Sequence, residues 1–283
     1  MTRRAHVAET RSPAPVARVP TADGSDDTSV DVSFVTVTFG TGPVVVDAIV
    51  SLVDSLADEH LSYEVVVVDN PHPDAPRRSR NELAVSTSGV RVVFPERNLG
   101  FAGGCELGAL HARGRVLAFV NPDLVVGPGW LRPLLAGLER GASIVAPVFL
   151  DPDGSVQEAG HVLFADGSTA PITAPAALGG HDDRRPDYAS AACWLIERGE
   201  HERLGGFDPE FHPAFYEDVE FALRAAHLGD GLRVVTDVCV THHRGLGTHG
   251  SSRTADTATQ RDVLLERAPQ IRWTQSRRPD ALR

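Results

Sequence analysis

Short apolar segments alternate with helical patterns through the first half of the chain. The predicted strands are rich in β-branched residues and cover 32–38, 63–68, 90–94 and 116–120. Helical patterns follow the first of these strands over 44–57 and the third through residue 112. This alternation is typical of an α/β fold with a mainly parallel central sheet flanked by helices.

The second half of the chain has a less regular pattern. Strands are predicted at 143–147, 189–196, 232–235 and 238–241, with a helix at 216–227. Residues 150–187 indicate turns and irregular structure, and the segment after about 251 is polar. Residues 1–29 are rich in Arg, Pro, Ala, Thr and Asp without periodicity, which predicts a flexible leader.

Polar residues follow the predicted strands of the first half. Thr38, Asp69, Asn98 and Asp123 each come at or just after the end of an apolar run. Ligands of open α/β sheets bind beyond the carboxyl ends of the strands, so these side chains are expected to line one crevice. Local alternatives exist, because Asp69 could simply start a turn and the glycines over 98–108 could serve close packing of a helix on the sheet.

Composition and charge exclude several classes of function. The chain carries 27 basic and 38 acidic residues, a formal net charge of -11 that argues against binding a nucleic-acid backbone. Every basic residue is Arg, so chemistry that needs a phosphate-loop Lys, a Schiff-base Lys or a Lys general base is excluded. Three cysteines without metal-ligand spacing favour a reduced, cytoplasmic setting, and neither a signal peptide nor a membrane-spanning run is evident.

Two parts of the sequence carry side chains that could bind a metal ion or act as a general base. Asp123 offers a hard oxygen ligand for magnesium or manganese, with His242 or His243 as a second ligand or, alternatively, as solvated loop residues. Glu217 and Asp218 begin a predicted helix, where acids complement the helix dipole. They also follow a rigid Pro-rich aromatic loop, and a partly desolvated carboxylate there can act as a general base.

In order along the chain, these segments resemble the family-2 inverting glycosyltransferases of the GT-A fold, especially the rhamnosyltransferase-like branch. The resemblance covers about residues 30–248. The motifs that carry it are VTVTFG (35–40), VVVVDN (65–70), RNLGFAGG (97–104), FVNPD (119–123), GGFD (205–208), EDVEFALR (217–224) and HH (242–243).

The resemblance implies a role for each candidate residue. The donor nucleotide would be held by Thr38, Asp69, Asn98, Gly103 and Asp123. Asp123 and His242 would bind a divalent cation, Mg or Mn, although Asn121 replaces the first acid of the D-x-D motif. Asp218 would be the catalytic base. Trp194 and Glu217 would line the acceptor pocket, while Trp194 fits the core equally well.

The implied activity is inverting transfer of a sugar from a dTDP or UDP type donor to an acceptor hydroxyl. The acceptor would be a glycan, a lipid-linked glycan or a secondary metabolite, and the location cytoplasmic, with peripheral attachment at the inner membrane face left open. The implied GT-A domain spans 30–250, with a nucleotide-binding half over 30–125, an acceptor half over 126–250 and a C-terminal tail over 251–283. The alternatives are a catalytically silent sugar-nucleotide or glycan-binding module and a nucleotidyltransferase.

Overall fold

The computed structural model describes residues 30–41, 44–73, 90–174, 186–244 and 253–267. The leader predicted over 1–29 lies outside the described residues. Helices and strands follow one another along the rest of the chain. They are β1 (Val30–Phe39), α1 (Val44–Ser55), β2 (Tyr63–Asn70), β3 (Arg91–Val93), α2 (Gly100–His111), β4 (Gly114–Val120), β5 (Leu124–Val125), α3 (Leu131–Glu139), β6 (Ile144–Leu150), β7 (Val156–Glu158), β8 (His161–Leu163), β9 (Thr169–Pro171), β10 (Cys193–Glu197), α4 (Arg198–Leu204), α5 (Glu217–Leu228), β11 (Leu232–His242) and α6 (Arg253–Arg267).

One large sheet organises the described chain, in the order β3-β2-β1-β4-β10-β6-β11-β5, with β7 beside β6. The first four of these strands run parallel, which confirms the parallel arrangement predicted for the first half. Strand β10 is antiparallel to both β4 and β6, and the sheet beyond it is mixed. The start of β10 therefore lies next to the end of β4.

Hydrophobic clusters cover both faces of the sheet. Successive residues of β10 alternate between them, since Trp194 and Ile196 pack in one cluster while Cys193 and Leu195 pack in the other. Helices α2 and α5 pack on the first face, and helices α1 and α3 pack on the second. Burying a large apolar side chain contributes about 1.5–3 kcal/mol, so this two-sided core holds the strand ends in fixed positions.

The second half differs from its sequence pattern in several elements. Helices α3 and α4 are present where no helix was predicted, and three short strands, β7 to β9, lie inside the segment expected to be irregular. Strand β11 is continuous, with a bulge between Val235 and Cys239 where two strands were predicted. Helix α6 lies within the predicted tail, and its Leu264 is completely buried, so packed structure continues past residue 250. No helix within the described ranges has the length and apolar character needed to cross a membrane.

Candidate functional site

The carboxyl ends of β1, β2 and β4 meet at one edge of the sheet because these strands pair in parallel. Thr38 lies opposite Asp69 in the register of β1 and β2, and its hydroxyl donates to Asp69 Oδ1 at 2.8 Å. Both side chains are buried. The hydroxyl therefore fixes the orientation of a carboxylate at the edge where a ligand is expected.

Helix α2 begins at the same edge and is held there by two asparagines. Asn70, the last residue of β2, accepts the Leu99 N–H at 2.9 Å and donates to the Gly100 carbonyl at 3.2 Å. Asn98 accepts the Gly100 N–H on its side-chain oxygen at 2.9 Å. Gly103 is half-buried, less than one turn further along the helix. No separate role was predicted for Asn70, which joins β2 to the start of α2.

Two other glycines of this segment serve packing. A Cβ on Gly104 would lie 2.6 Å from Val37 Cγ1, and a Cβ on Gly108 would lie 2.3 Å from Val35 Cγ1. Any side chain would push α2 away from β1, so at these two positions the close-packing interpretation is correct. The donor-binding roles of Asn98 and Gly103 stay predictions.

Asp123 and His242 are brought together by the pairing of β5 with β11. The register places His242 opposite Leu124, the residue after Asp123. His242 Nε2 lies 3.4 Å from Asp123 Oδ1, and both side chains are buried. His243 instead donates its backbone N–H to the Asp123 carbonyl at 2.9 Å. Of the two histidines that the sequence left open, the His242 ring is the one beside the carboxylate.

A third buried side chain contacts His242 from the opposite side. Gln157 Oε1 lies 2.9 Å from His242 Nδ1, and Gln157 Nε2 donates to the His242 carbonyl at 3.1 Å. The same nitrogen donates to Asp151 Oδ1 at 2.8 Å. Residues 157 and 242 lie far apart in sequence, and no motif pointed to Gln157.

Asp218 is half-buried at the start of α5. Its carboxylate accepts the backbone N–H of Ala191, and that of Val219 at 2.8 Å. Burial raises the pKa of Asp218 to about 6. The hydrogen bonds to its carboxylate lower the pKa, but by less than burial raises it. Ala191 precedes β10, whose start lies beside the end of β4, and the Asn121 N–H donates to the Ala192 carbonyl at 2.8 Å. This connection brings Asp218 to the carboxyl edge of the sheet.

Glu158 is a buried carboxyl near Asp218 that the sequence analysis missed. It accepts the Ser190 N–H at 3.0 Å, so adjacent backbone amides hold Glu158 and Asp218. Burial raises the pKa of Glu158 to about 7, and the charge of Asp218 adds to the rise. His161 Nε2 lies 3.6 Å away, but burial lowers the pKa of His161 to about 4, so this ring is neutral at pH 7. Glu158 lies in the segment whose pattern predicted only turns, so no sequence signal identified it.

Both residues predicted to line the acceptor pocket are buried. Trp194 is completely buried, its indole N–H donates to the Ala189 carbonyl at 3.1 Å, and its ring stacks on Phe207. It belongs to the core because β10 lies in the middle of the sheet under α5. Glu217 is buried as well, and burial together with the neighbouring Asp218 raises its pKa well above that of an ordinary glutamate. The acceptor role of Glu217 stays a prediction.

The fold and the site together define a class of protein. A parallel half-sheet with polar strand ends, extended by a mixed half that adds a carboxylate at the same edge, is the GT-A architecture of nucleotide-sugar transferases. Residues 33–203 match the family model described as Glycosyl transferase family 2. The chain belongs to this family, as the sequence motifs predicted.

One relative with a similar sequence agrees with this assignment. The chain is 30% identical over 291 aligned positions to the O-antigen biosynthesis protein RfbC of Myxococcus xanthus, covering 96% of this chain and 21% of that protein. It thus spans about a fifth of that relative's length.

Solved structures share the fold at low identity. The crystal structure of GalNAc-T7 with UDP, GalNAc and Mn²⁺ superposes with a TM-score of 0.67 at 20% identity, over 85% of this chain and 48% of that one. The mannosyltransferase PcManGT from Pyrobaculum calidifontis, in complex with GDP-Man and Mn²⁺, gives 0.50 at 18% identity, over 83% of this chain and 62% of that one. These likenesses confirm the predicted GT-A fold.

Proposed function

We propose that this protein transfers a sugar from a dTDP or UDP type nucleoside-diphosphate sugar to an acceptor hydroxyl, with inversion at the anomeric carbon. The observation that carries the proposal is the half-buried Asp218 carboxylate, brought by β10 to the sheet edge where Asp123 and His242 face each other. A proton acceptor and a phosphate-binding pair at one edge are what this reaction requires.

The donor nucleotide is assigned to the strand ends. Asp69, oriented by Thr38, presents a carboxylate that can accept a hydrogen bond from a ribose or from a nucleobase imide. Asn98 and Gly103 are assigned to the ribose and diphosphate, because both lie at the start of α2, where the positive end of the helix dipole favours a phosphate.

The residues present fit a divalent cation. One carboxylate oxygen and one imidazole nitrogen suit manganese, and magnesium in similar sites also uses one or two protein ligands with phosphate oxygens. Within the described part of the chain, no three or more His, Cys, Asp or Glu side chains lie close enough together to coordinate one ion. Asp123 and His242 would therefore share the ion with the donor diphosphate. When bound, the cation supplies positive charge to the departing diphosphate.

Asp218 is assigned as the general base. A pKa of about 6 leaves the carboxylate ionised at neutral pH while keeping its affinity for a proton higher than that of an exposed aspartate. Asp218 takes the proton of the acceptor hydroxyl as the hydroxyl oxygen bonds to the anomeric carbon. The bond from that carbon to the diphosphate breaks on the opposite side, which inverts the configuration.

The acceptor is proposed to be the hydroxyl of a glycan. Similarity to a protein named for O-antigen biosynthesis supports a saccharide acceptor over a secondary metabolite.

Cys105, Cys193 and Cys239 are free thiols, which supports a reducing, cytoplasmic location.

The test is turnover with a panel of dTDP, UDP and GDP sugars and saccharide acceptors, with the anomeric configuration of the product read by NMR. Asp218→Asn is expected to lower turnover on the order of a hundredfold or more, while donor affinity measured by calorimetry stays close to wild type. Asp237→Asn, which removes an exposed carboxylate of β11, is the matched control. Donor binding without turnover on any acceptor would indicate a binding module, and release of pyrophosphate would indicate a nucleotidyltransferase.

A further inference from the structure

The side-chain amide of Gln157 can be oriented in only one way. Its nitrogen faces two groups that accept and cannot donate, the Asp151 carboxylate at 2.8 Å and the His242 carbonyl at 3.1 Å. Turning the amide over would place its oxygen against both acceptors and lose two buried hydrogen bonds. Gln157 Oε1 therefore faces His242 Nδ1, at 2.9 Å.

The orientation of this amide decides which nitrogen of His242 carries the proton. Oε1 can only accept, so the hydrogen bond requires a proton on Nδ1. In the neutral ring the lone pair then lies on Nε2, the nitrogen that is 3.4 Å from Asp123 Oδ1. An imidazole lone pair and a carboxylate oxygen, both electron-rich, are thus directed at the same place.

We propose that Gln157 is a positioning residue that fixes His242 in its Nδ1-protonated form, so that Nε2 and Asp123 are ready to share a divalent cation. The inference rests on the metal assignment of the proposed function and extends it to residues that do not touch the ion. A hydrogen-bond partner of this kind orients the ring. Such partners of metal-binding histidines contribute about 10–100-fold to metal affinity.

The surroundings of Gln157 suit this role. Asp151 and Gln157 flank a tight turn between β6 and β7, in which the Asp151 N–H donates to the Ser155 carbonyl at 2.9 Å and the Gly154 N–H donates to the Asp151 carbonyl at 2.8 Å. Strand β7 pairs with β6 of the central sheet, so the turn is anchored on a rigid element. Gln157 is 3% exposed, which leaves little room for water to replace the amide.

The tautomer can be measured directly in the metal-free protein. We would record long-range proton–nitrogen correlation spectra of the full chain labelled with ¹⁵N-histidine at about pH 8, where an ordinary histidine is neutral. The His242 signal is identified by its loss in His242→Gln. We expect the Nδ1-protonated form in the wild type and loss of its dominance in Gln157→Leu, which keeps the bulk and removes the amide.

Two further variants make the test specific. Gln260→Leu removes an equally buried glutamine, which donates to the His212 carbonyl, and is expected to leave the His242 signal unchanged. Gln157→Met keeps the unbranched length of glutamine and removes the amide, so it is expected to act like Gln157→Leu and replaces that variant if Gln157→Leu fails to fold. An Nε2-protonated His242 in the wild type would overturn the inference.

Metal affinity gives the second readout. With Mn²⁺ as the titrant and UDP present, the Kd for Mn²⁺ is expected to rise about 10–100-fold in Gln157→Leu and to stay close to wild type in Gln260→Leu. An unchanged tautomer together with an unchanged Kd in Gln157→Leu would refute the positioning role. A wild type that holds the Nδ1-protonated form but binds no Mn²⁺ would refute the metal assignment of the proposed function, while the hydrogen-bond assignment would stand.

Discussion

Replacing Asp218 with asparagine is expected to stabilise the protein at neutral pH while removing its activity. Asparagine keeps an oxygen that can accept the Val219 backbone N–H, as the carboxylate does at 2.8 Å. It removes the negative charge, whose burial raises the pKa of Asp218 from 3.8 to about 6. Asp218 is therefore ionised at a cost in folding free energy.

The size and pH dependence of that cost follow from the pKa. A rise from 3.8 to about 6, at about 1.4 kcal/mol for each pKa unit, corresponds to about 3 kcal/mol as an upper value. The carboxylate is only half-buried, which reduces the expected gain to about 1–3 kcal/mol. The folded protein binds this proton more tightly than the unfolded chain does. The penalty is therefore absent below the unfolded pKa, grows between about pH 4 and pH 6, and is constant above.

Chemical denaturation followed by tryptophan fluorescence, in the absence of donor and metal, measures this difference. Asp218→Asn is expected to be more stable than the wild type by about 1–3 kcal/mol at about pH 8, with the difference approaching zero near pH 4. Asp237→Asn, at an exposed position, should change stability little at either pH. A stability gain that is absent at pH 8, or equally large at both pH values, would refute the argument that burial of charge at Asp218 is the cause.

Three further outcomes are expected. The value of kcat/KM should rise through about pH 6 and then level off, because Asp218 must be ionised to take a proton; a profile that is flat between pH 5 and pH 8 would contradict this. Gly108→Ala should lower the free energy of unfolding by about 1–3 kcal/mol because its Cβ would lie 2.3 Å from Val35 Cγ1, whereas Gly127→Ala, with open space around it, should not; equal thermal midpoints would count against the packing argument. Chelation with EDTA should weaken calorimetric binding of UDP or dTDP, and added Mn²⁺ should restore it; the same affinity with and without chelator would remove the metal assignment of Asp123 and His242.

The local pattern of the sequence was sufficient for the parallel half of the fold. Strands β1, β2 and β4 are short β-branched runs separated by helical patterns, and strands joined in this way pair in parallel with their carboxyl ends at one edge. The positions of Thr38, Asp69 and Asp123 at that edge followed from their places after these runs. The periodicity of apolar residues and the order of strands and helices are read from neighbouring residues, so they predict this half of the fold from the sequence alone.

The missed elements of the second half depended on packing partners. Helix α3 is the exception, because its buried Leu131, Leu134 and Leu138 stand at helical spacing and form a local signal. Helix α6 has low apolar content, and its position is known only from the structure, where Leu264 lies in the core and Val263 packs against it. The insertion of β10 between β4 and β6, antiparallel to both, had no local signal and placed Trp194 in the core.

The sequence by itself determined the family and the residue types available at the strand ends, because motifs and apolar runs are local. Only the tertiary structure decided how those groups meet. It placed His242 Nε2 3.4 Å from Asp123, brought Gln157 to the opposite side of that ring, and put Glu158 beside Asp218 on adjacent backbone amides. These contacts join residues distant in sequence, and their geometry is set by the pairing of β5 with β11 and of β7 with β6.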